Sequence, residues 1–165
     1  MATHKPTLYL ETTVPSYLTA RPSRDVVVLA HQQLTREWWE GPLADFDIMV
    51  SEVVLDEARR GDAVAARARL AVLAPFAVLP VTVDVERLAQ VYVRELRMAR
   101  DALRDALHIA IASVHEIDYL LTWNCRHIAS GRTRRGVRDV NSREDLKTPT
   151  ICTPEELLHD YGSSE

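Results

Sequence analysis

Residues 101–124 constrain the fold of this chain more than any other part of the sequence. Residues 106–114 are apolar on every face of a helix except at His108 and Ser113, which predicts a helix packed inside the protein. Asp105 comes directly before this apolar run. A carboxylate there is costly to bury unless it is paired, hydrogen-bonded or bound to a metal ion. The stretch therefore predicts a buried helix with an acidic group at its entrance.

Two predicted strands end at polar residues. A short strand over residues 119–122 follows the buried helix and leads into Trp123 and Asn124. A first strand over residues 7–10, with the sequence TLYL, ends at Glu11. Because α/β proteins usually place their chemistry at the carboxyl ends of strands, we expect both ends to contribute to an active site.

A second acidic residue, Glu57, lies on the helix that follows a predicted strand over residues 46–50. Ser51 is a good N-cap for that helix. Glu57 falls three residues after Val54 and so shares the apolar face, whereas Asp56 falls among charged residues. The spacing therefore predicts that Glu57 points inward and that Asp56 is solvated.

Strands and helices alternate along the chain. Further helices are predicted from Pro15, over residues 25–39 and 62–73, after a cap at Asp84, in the basic segment after Asn124, and over the final TPEELLHDY. A third strand is predicted within residues 76–83 and a last one over residues 150–152. This alternation predicts an α/β protein with a mainly parallel sheet and helices on both faces.

The length and composition predict a single ordinary domain over residues 1–165. No apolar run approaches the ~20 residues that span a bilayer, and the first residues do not resemble a signal peptide. The two cysteines, Cys125 and Cys152, have no metal-type spacing, so reduced thiols are expected. We therefore expect a cytoplasmic protein with no membrane partner.

The charges are distributed unevenly. The net charge of −4 argues against a generic nucleic-acid binder. Acids nevertheless dominate residues 40–62, and bases dominate residues 126–147. An acidic centre beside a basic segment suits a metal-assisted reaction on a polyanion, although both segments are equally compatible with solvated helix faces.

Three carboxylates in apolar surroundings, Glu11, Glu57 and Asp105, can meet on one side of a parallel sheet. Carboxylates held close together repel one another unless a cation neutralises them, and oxygen ligands suit Mg²⁺ or Mn²⁺. Such a site can generate a hydroxide and stabilise a phosphodiester during displacement, which is nuclease chemistry. The alternative is that the three acids serve as helix caps and ion pairs.

Several segments occur in the order typical of one family. The sequences LYLETTVPSYL, VSEVVLDEARRGD, DALHIAIA, DYLLTWNCRHIA and ICTPEELL resemble the successive motifs of the PIN-domain family, in particular its VapC-type toxins. The resemblance covers nearly the whole chain. It implies a three-layer α/β/α sandwich, an endoribonuclease activity that depends on Mg²⁺ or Mn²⁺, a homodimer, and neutralisation by a cognate antitoxin protein.

The resemblance also assigns residues. It implies that Glu11, Glu57 and Asp105 hold the metal ion, and that Thr122 and Asn124 complete the catalytic site. Two positions depart from the family: Glu11 is one methylene longer than the common Asp, and Asn124 or His127 stands where an acid is frequent. Asp101 and Asp118 are candidates to compensate for that acid. The arginines expected to contact the RNA backbone are Arg126, Arg132, Arg134 and Arg135.

Other interpretations of these residues and of the chain stay open. His108 lies on the same helix face as Asp105, and a hydrogen-bonded core histidine is as compatible with the pattern as a ligand or general base. For the whole chain, the alternatives are a PIN-like RNA-binding module without catalysis and a phosphatase-like enzyme. Against the latter, no Gly-rich phosphate loop follows any predicted strand.

Overall fold

The computed structural model describes residues 4–161, which form a three-layer α/β/α sandwich around a five-stranded sheet. All strand pairs are parallel, and the strand order is β3-β2-β1-β4-β5. The expectation of a mainly parallel sheet is thus confirmed. The strands are β1 (Thr7–Leu10), β2 (Asp47–Ser51), β3 (Ala77–Leu79), β4 (Tyr119–Leu121) and β5 (Thr150–Cys152).

Eight α-helices connect and follow the strands within residues 4–161. One group of helices consists of α5, α6 and α7, and the other includes α1, α2 and α8, which pack against one another. The helices are α1 (Thr13–Thr19), α2 (Val26–Glu40), α3 (Glu52–Ala58), α4 (Ala63–Leu73), α5 (Val83–Glu95), α6 (Leu103–Val114), α7 (Gly131–Arg143) and α8 (Pro154–Tyr161).

The first strand is the centre of the sheet because it pairs with β2 on one side and β4 on the other. Its side chains Leu8, Tyr9 and Leu10 are fully buried. Each large apolar side chain of this kind stabilises the fold by about 1.5–3 kcal/mol on burial. The next residue, Glu11, is therefore held at a rigid position in the molecule.

Helix α6 is the buried helix predicted from residues 106–114. Its side chains Ile109, Ala110, Ile111 and Ala112 are fully buried. A 3₁₀ turn over Arg100–Ala102 precedes it, and no side chain caps its first turn. Asp101, which is exposed in that turn, does not act as a cap.

Three local expectations were wrong. The N-cap of α5 is Thr82, whose Oγ1 accepts the Val85 N–H at 3.3 Å, and Asp84 lies inside the first turn. The basic segment becomes helical only at Gly131, after Ser130 caps α7. Asp118 lies at the amino end of β4, at the sheet edge opposite Glu11, so it cannot stand in for an active-site acid.

The tryptophans of the site region are core residues. Trp38 is fully buried, and Trp123 donates its indole N–H to Thr35 Oγ1 at 2.7 Å. His31 stacks on the Trp123 ring with a centroid distance of 4.1 Å. Over residues 4–161, no helix is both long and apolar enough to cross a membrane.

Candidate metal centre

Glu11 lies at the point of the sheet where the strand order reverses. The chain proceeds from β1 to β2 on one side, and β4 lies on the other side of β1. Ligands of parallel α/β proteins bind at such switch points, outside the carboxyl ends of the strands. Glu11 follows β1 there, and Thr122 follows β4 and donates a hydrogen bond to Glu11 Oε2 at 2.7 Å.

Two threonines hold the Glu11 carboxylate by one of its oxygens. Glu11 Oε2 also accepts the Thr13 N–H at 3.1 Å and the Thr13 hydroxyl. Thr13 Oγ1 in turn accepts the Trp123 N–H at 2.8 Å, and Thr122 Oγ1 accepts the Asn124 N–H at 2.9 Å. Although Glu11 is only 4% exposed, its other oxygen accepts no hydrogen bond from the described residues.

Helix α3 places Glu57 next to Glu11, as its inward position in the sequence predicted. Glu57 Oε1 accepts a hydrogen bond from Thr12 Oγ1 at 2.7 Å and lies 2.6 Å from His108 Nε2. Its neighbour Asp56 is exposed and pairs with Arg60 and Arg104 instead. Glu57, with 23% of its side chain exposed, thus keeps Oε2 free of hydrogen bonds from residues 4–161.

Asp105 projects from the first turn of α6 and is oriented by Asn124. The Asn124 side-chain amide donates to Asp105 Oδ1 at 3.1 Å, and its own oxygen accepts the His127 N–H at 2.9 Å. The loop after β4 therefore connects Asp105 to Glu11, because Thr122 and Asn124 belong to the same short turn.

We refer to Glu11, Glu57 and Asp105 as the carboxylate cluster. The tightest arrangement of possible ligand atoms in the described residues consists of Glu11, Glu57 and His108, whose atoms lie within 4.8 Å of one another. Asp105 lies outside this distance. Each acid of the cluster has one oxygen held by the protein and a second oxygen available, which is a donor set that fits a divalent cation with oxygen ligands.

The surroundings change the pKa values of these groups in different directions. Burial raises the pKa of Asp105. Burial also acts to raise the pKa of Glu57, but the hydrogen bond from His108 outweighs it and lowers that pKa. For His108, burial is opposed by the hydrogen bond to Glu57 and by the nearby carboxylates, which together raise its pKa.

Sequence reasoning missed the groups that hold the acids in place. It assigned no role to Tyr9 or Thr13 and did not connect His108 with Glu57. The spacing of Asp105 and His108 on one helix face was the available signal, since it places both side chains towards the same site. The contact itself joins residues that are 51 positions apart.

The four arginines expected to contact RNA differ in their surroundings. Arg126, Arg132 and Arg135 are exposed and form no salt bridge within residues 4–161. Arg134 instead pairs with Glu156, with one N–O distance of 2.8 Å. A cavity of about 190 Å³ is lined by Arg97, Arg126, His127 and Arg132, among other residues.

A wholly parallel sheet with carboxylates gathered at its switch point defines the class: an α/β protein with an acidic, metal-compatible site. Residues 9–127, more than half of the chain, match the PIN domain. The chain therefore belongs to the PIN domain family. No curated protein matches the sequence at a significant level.

Solved structures with a similar fold are proteins of toxin–antitoxin systems. Their identities to this chain, between 12% and 20%, establish a shared fold only. VapC20 of Mycobacterium tuberculosis, a toxin that cleaves the sarcin–ricin loop, is 20% identical with a TM-score of 0.58, covering 76% of this chain and 95% of its own. VapBC2 of Rickettsia felis bound to promoter DNA is 12% identical with a TM-score of 0.51, covering 89% and 98%. A toxin–antitoxin complex of Klebsiella pneumoniae is 16% identical with a TM-score of 0.53, covering 90% and 98%.

Proposed function

We propose that this chain is a metal-dependent endoribonuclease that hydrolyses RNA phosphodiester bonds. The carboxylate cluster at the switch point carries the proposal, because each acid is anchored by one oxygen and keeps the other available. Membership of the PIN domain family and a fold shared with a toxin that cleaves the sarcin–ricin loop support it. The catalytic residues proposed are Glu11, Glu57, Asp105, Thr122 and Asn124.

The protein's own groups prepare the site for this reaction. Glu11, Glu57 and Asp105 would hold Mg²⁺ or Mn²⁺, which lowers the pKa of bound water and neutralises charge on a phosphodiester. Thr122 holds Glu11, and Asn124 holds Asp105, so both acids are oriented before substrate arrives. Such preorganisation avoids the free-energy cost of arranging charged groups during the reaction.

The RNA backbone is proposed to lie along the arginines after Asn124. Arg126 and Arg132 are the best placed, since they line the cavity together with His127, whose N–H is bonded to Asn124. Arg97, which sequence reasoning did not select, lines the same cavity. Arg135 is exposed and available, whereas Arg134 must first leave Glu156 to reach a phosphate.

The biological role proposed is that of the toxin in a toxin–antitoxin pair. Two of the similar structures are of VapBC2 and of a toxin–antitoxin complex, and VapC20 is a toxin. We extend from them the proposals of a cognate antitoxin partner, a homodimer and a single PIN domain over the whole chain. Copurification with the product of an adjacent reading frame tests the first, and light scattering at micromolar concentration tests the second.

Cleavage of a hairpin RNA by the purified protein tests the enzymatic proposal. We expect products only with Mg²⁺ or Mn²⁺, no products after chelation, and restored cleavage when the ion is added back. Glu11→Gln should abolish cleavage, because an amide removes a negative charge from the ion site. Cleavage that persists in excess chelator, or in Glu11→Gln, would contradict the proposal.

A second candidate is an RNA-binding PIN domain that has lost catalysis. The observation that favours it is Asn124, which provides no negative charge and is fully engaged with Asp105 and the His127 N–H. This candidate predicts RNA affinity that falls with salt and no ion-dependent product. The same cleavage and binding experiments therefore separate the two.

A further inference from the structure

A line of buried polar groups extends from Glu57 into the core, and the proposed reaction does not use it. His108 Nε2 lies 2.6 Å from Glu57 Oε1, and His108 Nδ1 lies 2.7 Å from the Tyr9 hydroxyl. The Tyr9 hydroxyl also lies 2.7 Å from Ser51 Oγ. His108, Tyr9 and Ser51 are all fully buried. These groups come from α6, β1 and the end of β2, so three elements converge behind one carboxylate.

The protons of this line can be assigned by counting donors and acceptors. A carboxylate only accepts, so His108 Nε2 must donate to Glu57. In a neutral ring Nδ1 then accepts, and Tyr9 must donate its single proton to it. The Tyr9 oxygen is left to accept from Ser51, whose proton is available because Ser51 Oγ already accepts the Val54 N–H at 3.2 Å. Every buried group is then satisfied, with donation running from Ser51 to Glu57.

We infer that Tyr9 and His108 are positioning residues: they hold the Glu57 carboxylate by Oε1 so that its second oxygen faces the ion site. His108 does not bind the ion itself. Its two ring nitrogens are committed to Tyr9 and Glu57, and its Nε2 lies 4.0 Å from the nearest Glu11 oxygen. The inference rests on the proposed function, because it specifies how one acid of that site is oriented.

A matched pair of variants tests the role of Tyr9. Tyr92 is also fully buried, and its hydroxyl also has two side-chain partners, Ser113 and Asn141. Tyr9→Phe and Tyr92→Phe remove the same atom from similar surroundings, so we expect comparable losses in melting temperature. Only Tyr9→Phe should weaken Mn²⁺ binding, by about tenfold or more in titration calorimetry, since partners that orient metal ligands typically contribute 10–100-fold to affinity.

Equal Mn²⁺ affinity in Tyr9→Phe, Tyr92→Phe and the wild type would overturn the inference while leaving the nuclease proposal intact. A wild-type protein that binds no Mn²⁺ would instead overturn both proposals. Pulsed electron paramagnetic resonance adds a readout of coordination. A nitrogen coupling to bound Mn²⁺ that disappears in His108→Gln would show His108 on the ion, and this result too would overturn the inference.

If Tyr9→Phe does not fold, two substitutions of His108 test the same contact. His108→Gln keeps an N–H donor for Glu57, whereas His108→Leu has none. We expect the Gln variant to bind Mn²⁺ about tenfold or more tightly than the Leu variant. Equal affinities would mean that no hydrogen bond to Glu57 is needed, and the inference would be wrong.

Discussion

Acidic side chains lie at both edges of the parallel sheet, and the two edges differ in how these charges are compensated. At the amino edge, Asp118 accepts hydrogen bonds from the Thr7 N–H at 2.9 Å and the Thr7 hydroxyl at 3.1 Å, and it pairs with Lys147. At the carboxyl edge, no Lys or Arg among residues 4–161 forms a salt bridge with the carboxylate cluster.

This difference separates acids that stabilise the fold from acids kept for chemistry. The Lys147 ammonium lowers the pKa of Asp118, so the charged form is favoured in the folded protein. Burial raises the pKa of Asp105, so its charge is disfavoured there. An acid that lacks a cationic partner and is costly to ionise is available for a bound cation, which is consistent with a functional role.

The largest expected effect is the loss of RNA cleavage in Asp105→Asn. We expect the rate to fall at least about a hundredfold, because ion-based charge stabilisation is typically worth several kcal/mol. The raised pKa means that the ionised carboxylate disfavours the folded state at neutral pH, so the melting temperature should not fall. Asp101→Asn, one turn earlier and exposed, is the control and should cleave normally. A large loss of stability in Asp105→Asn would contradict the distinction between the two edges.

The next effect is stabilisation by the ion. At a concentration about 100 times the dissociation constant, Mn²⁺ should stabilise the wild type by about 2.7 kcal/mol, measured by chemical denaturation, and chelation should reverse this. Glu57→Gln should lose the ion-dependent gain. Asp56→Asn, at the neighbouring and exposed position, should keep it. Equal gains in both variants would show that the ion binds elsewhere.

A smaller effect is expected at the amino edge. Asp118→Asn should destabilise the protein by about 1 kcal/mol at pH 7, a value that allows for partial solvent exposure. Because the folded-state pKa of Asp118 is lowered, its contribution is present above its unfolded pKa and is lost as the pH falls through the folded value. Denaturation curves of both proteins should therefore converge in acid, and RNA cleavage should stay unchanged. Impaired cleavage would mean that the two edges are coupled.

The smallest effects are expected from single arginines, where the comparison of paired and unpaired charges applies again. Arg126→Ala and Arg132→Ala should each weaken RNA binding a few-fold and reduce the salt dependence by about 0.7 per lost phosphate contact on single-stranded RNA. Arg134→Ala should change binding less, since Glu156 already compensates its charge. A larger effect for Arg134→Ala in binding titrations at several salt concentrations would reverse this ranking.

Much of the site was predictable because it depends on local pattern. The apolar run 106–114 placed Asp105 at the entrance of a buried helix, and a strand of β-forming residues placed Glu11 at its carboxyl end. The three-residue spacing from Val54 separated inward Glu57 from exposed Asp56. Each of these inferences needs only the periodicity of one element, which is encoded within about ten residues.

The errors arose where several starts were available within one turn or where an edge had to be chosen. Thr82 and Asp84 are both good caps, and packing of the helix selected Thr82. Asp118 is close to the site in sequence, but β4 is parallel to β1, so its amino end lies a full strand length away from Glu11. Sequence distance does not indicate which end of a strand a residue occupies in space.

The sequence by itself determined the α/β alternation, the three acids and their membership of buried or strand-end positions, because hydrophobic periodicity is a property of neighbouring residues. Only the tertiary structure decided what holds the acids. The contacts of Glu57 with His108, of Glu11 with Thr122 and of Asp105 with Asn124 join different elements. They exist because the strand order brings β1 between β2 and β4, and no local pattern specifies that order.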